Sequence, residues 1–145
     1  MDKTGNTSND DNSNFRGQNA VVLGIEGSQT SIKNSNITSS SIGSNAVFAT
    51  EGAHSATLAT DRGEGTITAE AAKLVTSGEG SPVIYSTGNI MVNNVNGIAN
   101  NSEIGVVEGK NSITLTNSNV TGYKDNGFML YQSFSGDAES GIARL

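Results

Sequence analysis

The sequence predicts an all-β fold, a parallel β-solenoid in which each coil adds short strands above the coil before it. Two observations predict it: strand and turn residues dominate the composition, and short segments return at a nearly constant spacing. Asn, Ser and Thr make up about a third of the 145 residues, with 18 Gly, one Pro and no Trp. These residues favour strands and turns. The 3.6-residue period of amphipathic helices is missing.

The first recurring segment is a short strand, an Asn-rich corner and another apolar residue. Residues 32–38 (IKNSNIT) and 115–121 (LTNSNVT) nearly match, and residues 90–96 (IMVNNVN) are a looser relative. Asn suits corners because it tolerates left-handed backbone and bonds to nearby backbone; stacked Asn side chains can also bond to one another. The expected corner residues are Asn19, Asn34, Asn45, Asn117 and Asn126.

The second recurring segment opens with a polar residue and a small residue, followed by an apolar pair. The small residues are Ala20, Ala46, Ala56, Pro82, Gly105 and Gly127. Most steps between them are roughly 22 to 26 residues. That length suits one coil of a right-handed parallel β-helix, whose strands stack about 4.8 Å apart. We expect about five coils.

One step breaks this spacing. Ala46 and Ala56 are ten residues apart, too few for a coil of two or three strands. Either residues 51–54 (EGAH) form a tight turn joining strands within one coil, or part of a coil has been lost. We favour the lost coil.

Strand alternation assigns the apolar residues to two faces. If the small residue faces inward, a core ladder follows at Val22, Phe48, Leu58, Ile84, Val107 and Met129. The outer face is then Val21, Val47, Val83, Val106 and Phe128, with Thr57 as its one polar member. Because a strand that is apolar on both faces is normally covered on both, we expect self-association or a partner there. The alternative is an exposed β-branched face kept for strand propensity.

The two ends of the chain differ in composition. Residues 1–17 are mostly polar and are predicted to be a disordered segment, whereas residues 18–145 form the β-helix domain. The last residues contain no polar terminator, and an open solenoid end exposes unpaired strands. We therefore expect an incomplete or uncapped stack, which is either a piece of a longer one or associates through its ends.

Charge and hydropathy exclude several classes of function. The net charge of −6 and the pI near 4.6 argue against nucleic-acid binding, which needs clustered Lys and Arg. No apolar run approaches the ~20 residues of a membrane span. No signal peptide is recognisable in this chain, but the Asn-, Ser-, Thr- and Gly-rich composition is typical of secreted or bacterial cell-surface proteins.

No catalytic residue is predicted. His54 is the only histidine and cysteine is absent, which excludes Cys–His catalysis and an intrachain zinc site. Residues 61–65 (DRGEG) are the densest charged cluster beyond the N-terminal segment. Asp61 and Glu64 could hold Ca²⁺, and Arg62 could bind a sugar acid. The alternative for all three is a solvated turn.

Two Thr-x-Thr triplets raise the question of ice binding. They are Thr66-Ile67-Thr68 and Thr114-Leu115-Thr116. An ice-binding surface needs a flat array of regularly spaced threonines, and two triplets are too few. We disfavour this hypothesis.

Four segments carry a resemblance to a known family. Residues 45–48 (NAVF), 81–88 (SPVIYSTG), 106–117 (VVEGKNSITLTN) and 127–133 (GFMLYQS) resemble bacterial pectate-lyase-like parallel β-helix proteins, in particular adhesin-like or carbohydrate-binding surface proteins. For enzymatic members the resemblance implies cleavage of uronate-rich polysaccharides by acidic residues or Ca²⁺ with an arginine. None of their catalytic signatures occurs here, so no catalytic residue carries over.

These observations favour a non-enzymatic extracellular or cell-surface β-helix that binds a polysaccharide or surface glycan, or mediates adhesion. Tyr85 and Tyr131 are the candidate residues for stacking on sugar rings. One alternative is a polysaccharide lyase or hydrolase, or the remnant of one. Another is a structural spacer on the cell surface.

Overall fold

The computed structural model describes residues 1–4, 17, 19–25, 27–50, 65–131 and 144–145, and these contain fourteen strands and no helix. Within the same ranges no helix is long and apolar enough to cross a membrane. The strands are β1 (Asp2–Lys3), β2 (Val22–Gly24), β3 (Gln29–Lys33), β4 (Asn36–Ser39), β5 (Val47–Ala49), β6 (Thr66–Glu70), β7 (Lys73–Thr76), β8 (Ile84–Ser86), β9 (Asn89–Asn93), β10 (Asn96–Ala99), β11 (Gly105–Glu108), β12 (Ser112–Thr116), β13 (Asn119–Gly122) and β14 (Phe128–Tyr131).

The strands form three parallel sheets. Sheet 1 has the order β1-β4-β7-β10-β13, sheet 2 the order β14-β11-β8-β5-β2, and sheet 3 the order β12-β9-β6-β3. Successive strands along the chain enter different sheets, and each pairs with the strand three places later. The predicted all-β chain of stacked parallel strands, consistent with a parallel β-solenoid, is confirmed.

Strand register defines the length of the repeat. Asn96 pairs with Lys73 on one side and Asn119 on the other, which is 23 residues in each direction. Val47 pairs with Ile84, 37 residues later, which is fourteen residues more than the 23-residue step. Two other steps in sheet 2 are 25 and 21 residues, from Val22 to Val47 and from Ile84 to Gly105. The additional length matches residues 51–64 between β5 and β6, which lie outside the described residues. The predicted loss of part of a coil is therefore wrong: one coil is longer.

A column of left-handed residues marks the corner between sheet 3 and sheet 1. The residues with positive φ are Asn34 (48°), Ala71 (50°), Asn94 (53°) and Asn117 (47°). Each follows a strand of sheet 3 and takes the same place in its coil. The corner positions predicted for Asn34 and Asn117 are confirmed, and asparagine is the residue that tolerates this conformation best after glycine.

Buried amides hold neighbouring coils together at other corners. The Nδ2 group of Asn19 donates to the carbonyl of Ile42 at 3.0 Å, and that of Asn45 donates to the carbonyl of Pro82 at 2.9 Å. Both partners lie in the next coil. The side chain of Asn126 instead accepts a bond from the Gly122 amide at 3.1 Å. These asparagines bond to backbone groups, in place of the bonds between stacked side chains that were considered from sequence.

The core lies between the three sheets, and its register differs from the predicted one. Val47 and Val83 were predicted to face outward but belong to the main core cluster, whereas Phe48 packs with Tyr85 and Val106 in a second cluster on the opposite face of sheet 2. Met129, also predicted inward, is in register with Val106 and is 37% exposed. Matching the internal repeats by their small residues placed Val83 level with Val47, but the residue that pairs with Val47 is Ile84. The slip of one residue affects only part of the predicted ladder. Ile84 and Val107, predicted inward, do lie in the main core, and Val22 packs against it.

This register also removes the apolar face for which a partner was expected. Val47 and Val83 are fully buried and Val106 is 3% exposed. Val21 and Phe128 are partly buried and pack against the main core. These five residues are therefore covered within the chain wholly or in part.

The first residues add a strand to sheet 1. Asp2 and Lys3 pair with Thr38 and Ser39, and the carbonyls of Met1 and Lys3 accept bonds from the amides of Thr38 and Ser40 at 2.9 and 3.0 Å. The edge of β4 supplies the backbone partners for these residues. Residues 5–16 lie outside the described residues.

Ala71 gives a test of the corner column. Replacing Ala71 with Asn should raise the free energy of unfolding by about 1 kcal/mol, because Asn relieves the cost of left-handed backbone at a non-glycine residue. The reverse change at the equivalent corner, Asn94→Ala, should lower it by a similar amount. Urea unfolding followed by circular dichroism measures both. Equal stabilities for both variants and the wild type would contradict this account of the corner.

Candidate functional site

The outer face of sheet 1 carries the most distinctive exposed array among the described residues. In β10, Gly97 and Ala99 are buried, so Asn96 and Ile98 point outward. Register extends this pattern across the sheet. The column in register with Asn96, here called the amide column, is Asn36, Lys73, Asn96 and Asn119. The column beside it is Thr38, Val75, Ile98 and Thr121.

The amide column leaves its polar groups to solvent. All four residues are exposed. Within the described ranges, the side-chain amides of Asn36, Asn96 and Asn119 have no hydrogen bond to the protein and Lys73 has no ion pair. By contrast, Lys33 on sheet 3 forms an ion pair in which its Nζ lies 3.7 Å from Oε2 of Glu70. The amide column therefore presents donors and acceptors that a ligand can use.

Tyr123 adds an aromatic ring to the same face. It follows β13, and its amide donates to the carbonyl of Ala99 at 2.9 Å, which continues the ladder by one residue. Strand alternation places residues 119, 121 and 123 on one side. The Tyr123 side chain is 71% exposed. An exposed ring directly after a strand of the same sheet is suited to a ligand with both apolar and hydroxyl-bearing surfaces.

A shallow cleft borders the amide column. Its volume is about 330 Å³, and it lies between the amide column and the left-handed corner column. Lys73, Asn96 and Asn119 line one side, and Asn94 and Asn117 line the other. Asparagines and Lys73 make up most of the lining, with Ala71, Ala72 and Val95 as its apolar members, so the cleft favours hydrogen bonding over burial of an apolar ligand.

Tyr85, one of the two tyrosines predicted to stack on sugar rings, lies inside the protein. It is 4% exposed, and its ring stacks on that of Phe48 with centroids 4.3 Å apart and planes 9° from parallel. Its hydroxyl donates to the carboxylate of Glu108, which is fully buried. Burial, and secondly the charge of Glu108, raise the pKa of Tyr85 far above its usual range. This ring offers no face to a sugar.

Tyr131, the second predicted residue, lies at the edge of the same cluster. It is in register with Glu108, and its hydroxyl donates to Sδ of Met129 at 3.5 Å. The residue is partly buried. Partial burial, then the charges of Glu103 and Glu108, raise the pKa of Tyr131. The structure therefore brings Tyr85 and Tyr131 to either side of Glu108. This arrangement favours a packing role for the two tyrosines over ligand binding.

The predicted Ca²⁺ and sugar-acid site cannot be placed. Asp61, Arg62 and Glu64, together with His54, lie outside the described residues, so that site stays a prediction. In the part of the chain that the structure describes, no group of three or more metal-binding side chains occurs.

The threonine triplets do not form a continuous array. Thr66-Ile67-Thr68 is in register with residues 89–91 and 112–114, not with residues 114–116. Met91, 42% exposed, stands between Thr68 and Thr114. This register gives no continuous row of threonines, which is a reason to disfavour an ice-binding surface on sheet 3.

Sequence reasoning missed both the amide column and Tyr123. The signal was present, because an Asn-x-Asn motif occurs at residues 34–36, 94–96 and 117–119. Only the first Asn of each motif is required by the left-handed corner. The second begins a strand, where Asn is disfavoured. Counting on in steps of two from Asn119 leads to Tyr123.

Comparison with protein-family models, with curated proteins and with solved structures found no match for this chain. The resemblance to pectate-lyase-like surface proteins therefore rests on the quoted segments and stays a prediction.

The Tyr85–Glu108 pair yields a test by mutation. Tyr85→Phe should lower the free energy of unfolding at neutral pH by about 1–3 kcal/mol, because a buried carboxylate loses a donor while the ring stack persists. Tyr123→Phe, at an exposed hydroxyl, is the matched control and should be neutral. Urea unfolding measures both, and an unchanged Tyr85→Phe variant would contradict a structural role for the pair.

The same pair predicts a pH dependence. Because the folded chain holds the Tyr85 proton more tightly than the unfolded chain, whose tyrosines ionise near pH 10, this contribution to stability is complete below about pH 10 and is lost as the pH rises above it. The fall in unfolding free energy above about pH 10 should be shallower in Tyr85→Phe than in the wild type. Parallel slopes for the two proteins would contradict the prediction.

Proposed function

We propose that this chain is a non-enzymatic glycan-binding β-solenoid, secreted or displayed on a bacterial cell surface, and that the outer face of sheet 1 is its binding surface. One observation carries the proposal: three free side-chain amides and a lysine recur in one exposed column, and Tyr123 is exposed directly after β13. Adhesion through such a surface is a form of the same function.

The column is not explained by the needs of the fold. The left-handed corner accounts for Asn34, Asn94 and Asn117, but not for the asparagines that begin strands two residues later. Asn is depleted in strands, so a neutral choice at these positions would be Thr or Val. An amide both donates and accepts, as sugar hydroxyls do. Recurrence at the strand spacing of about 4.8 Å suits a ligand that itself repeats.

The finer fold assignment belongs to the same proposal. We propose a right-handed helix of about five coils, because crossovers between parallel strands of one sheet are right-handed in about 98% of cases. We also propose that the chain belongs with the adhesin-like surface proteins of the pectate-lyase-like superfamily, whose β-helices are right-handed.

The test is binding of the purified chain to a panel of neutral and acidic polysaccharides, including polygalacturonate. Saturable binding is expected. The double variant Asn96→Ala/Asn119→Ala should weaken it by roughly tenfold, because each neutral hydrogen bond contributes about 0.5–1.5 kcal/mol. Tyr123→Ala should weaken it further. The matched control is Asn93→Ala/Thr116→Ala, two exposed neighbours on sheet 3 that should leave affinity unchanged.

Several outcomes decide between the alternatives. Release of new chain ends from a polysaccharide would favour the lyase or hydrolase hypothesis over binding alone. Loss of binding with a chelator would support the Ca²⁺ prediction for Asp61 and Glu64. If the folded chain binds no polysaccharide, or if the sheet 3 control loses as much affinity as the sheet 1 variant, the proposed surface is wrong. Absence of any binding would leave the structural spacer as the better hypothesis.

A further inference from the structure

Exposed apolar side chains gather at the two ends of sheet 2. Among the described residues, Leu23 and Ile25 are 36% and 37% exposed in or next to β2, the strand at one end. Met129 and Leu130 are 37% and 49% exposed in β14, the strand at the other end. Between these two strands, Phe48, Tyr85 and Val106 are buried. The exposure is therefore a property of the ends of the stack and not of the sheet.

The exposed residues Leu23 and Met129 belong to one column of sheet 2, and Leu130 belongs to the column beside it. One column runs Leu23, Phe48, Tyr85, Val106, Met129, and a second runs Gly24, Ala49, Ser86, Val107, Leu130. Ala49 and Val107 of the second column lie in the main core. Leu130 is thus a core-facing residue that is half exposed because it stands in the last strand of its sheet.

The first coil also has an opening into the core. A cleft of about 430 Å³ is lined by residues of the first coil together with Met1, including the core-facing Val22, Ile32 and Ile37. Strand β3, which contributes to this cleft, is the last strand of sheet 3 on this side. A strand edge that lacks a neighbour offers backbone donors and acceptors to another chain.

We propose that copies of this chain associate head to tail, with β14 of one copy pairing in parallel with β2 of the next. In this register Met129 would stand beside Leu23 of the second copy, and Leu130 beside Gly24. The column of Leu23 and Met129 then continues across the junction, apolar against apolar, as it does between coils of one chain. The occupant is a second copy because its opposite end reproduces the coil-to-coil contact that the chain already makes internally. This proposal uses the ends of sheet 2 and is independent of glycan binding on sheet 1.

Head-to-tail contact has a distinctive consequence for assembly. The two surfaces that meet are different, so each copy keeps one free surface and growth remains open unless a rotation closes a ring. The weight-average mass measured by analytical ultracentrifugation should therefore rise with concentration beyond that of a dimer.

Two charge variants test the polarity of the contact. Leu23→Lys blocks one end and Leu130→Lys blocks the other, because a lysine placed in a closing apolar junction loses its hydration without gaining a partner. Each variant alone should be monomeric, because one of the two surfaces needed for every contact is blocked. An equimolar mixture should recover a dimer and nothing larger, since each variant retains the end that the other lacks. Met91→Lys, on sheet 3 between the ends and 42% exposed, is the matched control and should associate like the wild type.

Cross-linking tests the register without relying on charge. The chain contains no cysteine, so Leu23→Cys and Met129→Cys introduce single thiols that can pair only between copies. Adjacent parallel strands bring Cα atoms to about 4.8 Å, within the range of a disulfide. A mixture of the two variants should form the mixed disulfide under mild oxidation, whereas Leu23→Cys mixed with Met91→Cys should not.

Several results would overturn the proposal. A wild-type chain that stays monomeric up to its solubility limit contradicts it directly. Dimers that persist in one charge variant but not in the other would indicate contact between like ends. Equal cross-linking in the Met91→Cys control would indicate random collision. Circular dichroism of each variant must match the wild type, and the cross-linking result stands on its own if a lysine variant fails to fold.

Discussion

The register of parallel backbone hydrogen bonds between coils is the constraint on which everything else depends. A 23-residue step places each residue beside its equivalent in the next coil, so a chemical choice made once per repeat becomes a column. Columns of apolar residues form the core, a column of residues with left-handed backbone forms a corner, and a column of residues with side-chain amides forms an exposed surface. The long coil of 37 residues keeps this register because its additional length falls between strands of different sheets.

The polar side chains of this Asn- and Ser-rich chain fall into two groups with opposite roles. Inside, Asn45 donates across coils to a backbone carbonyl, and Glu108 accepts from Tyr85, because a buried polar group without a partner costs more than a bond returns. Outside, the side-chain amides of Asn96 and Asn119 have no hydrogen-bond partner in the described ranges. The first group stabilises the stack, and the second is the part of the molecule with unused capacity for recognition.

This separation moves the candidate binding surface from one sheet to another. An aromatic residue is a natural candidate for sugar binding wherever it occurs in a sequence, and Tyr85 occurs in a segment with family resemblance. Burial against Phe48 gives Tyr85 a structural role, whereas Tyr123 at the end of a polar strand keeps its ring in solvent. The proposed ligand surface on sheet 1 and the proposed contact between copies at the ends of sheet 2 lie on different sheets, although Asn36 of the amide column also lines the cleft in the first coil.

The sequence by itself determined the class of fold, because short β-branched segments that recur at similar spacing, with Asn at their corners, favour stacked parallel strands. It also identified Asn34 and Asn117 as corners, since left-handed backbone is a local property. Only the tertiary structure decided which residues of sheet 2 face the core, because alternation has a period of two and an error of one residue in matching the repeats misplaces Val47 and Phe48. It also decided that Tyr85 is buried and Tyr123 exposed. Exposure depends on what neighbouring coils place around a side chain, and that information is absent from any single repeat.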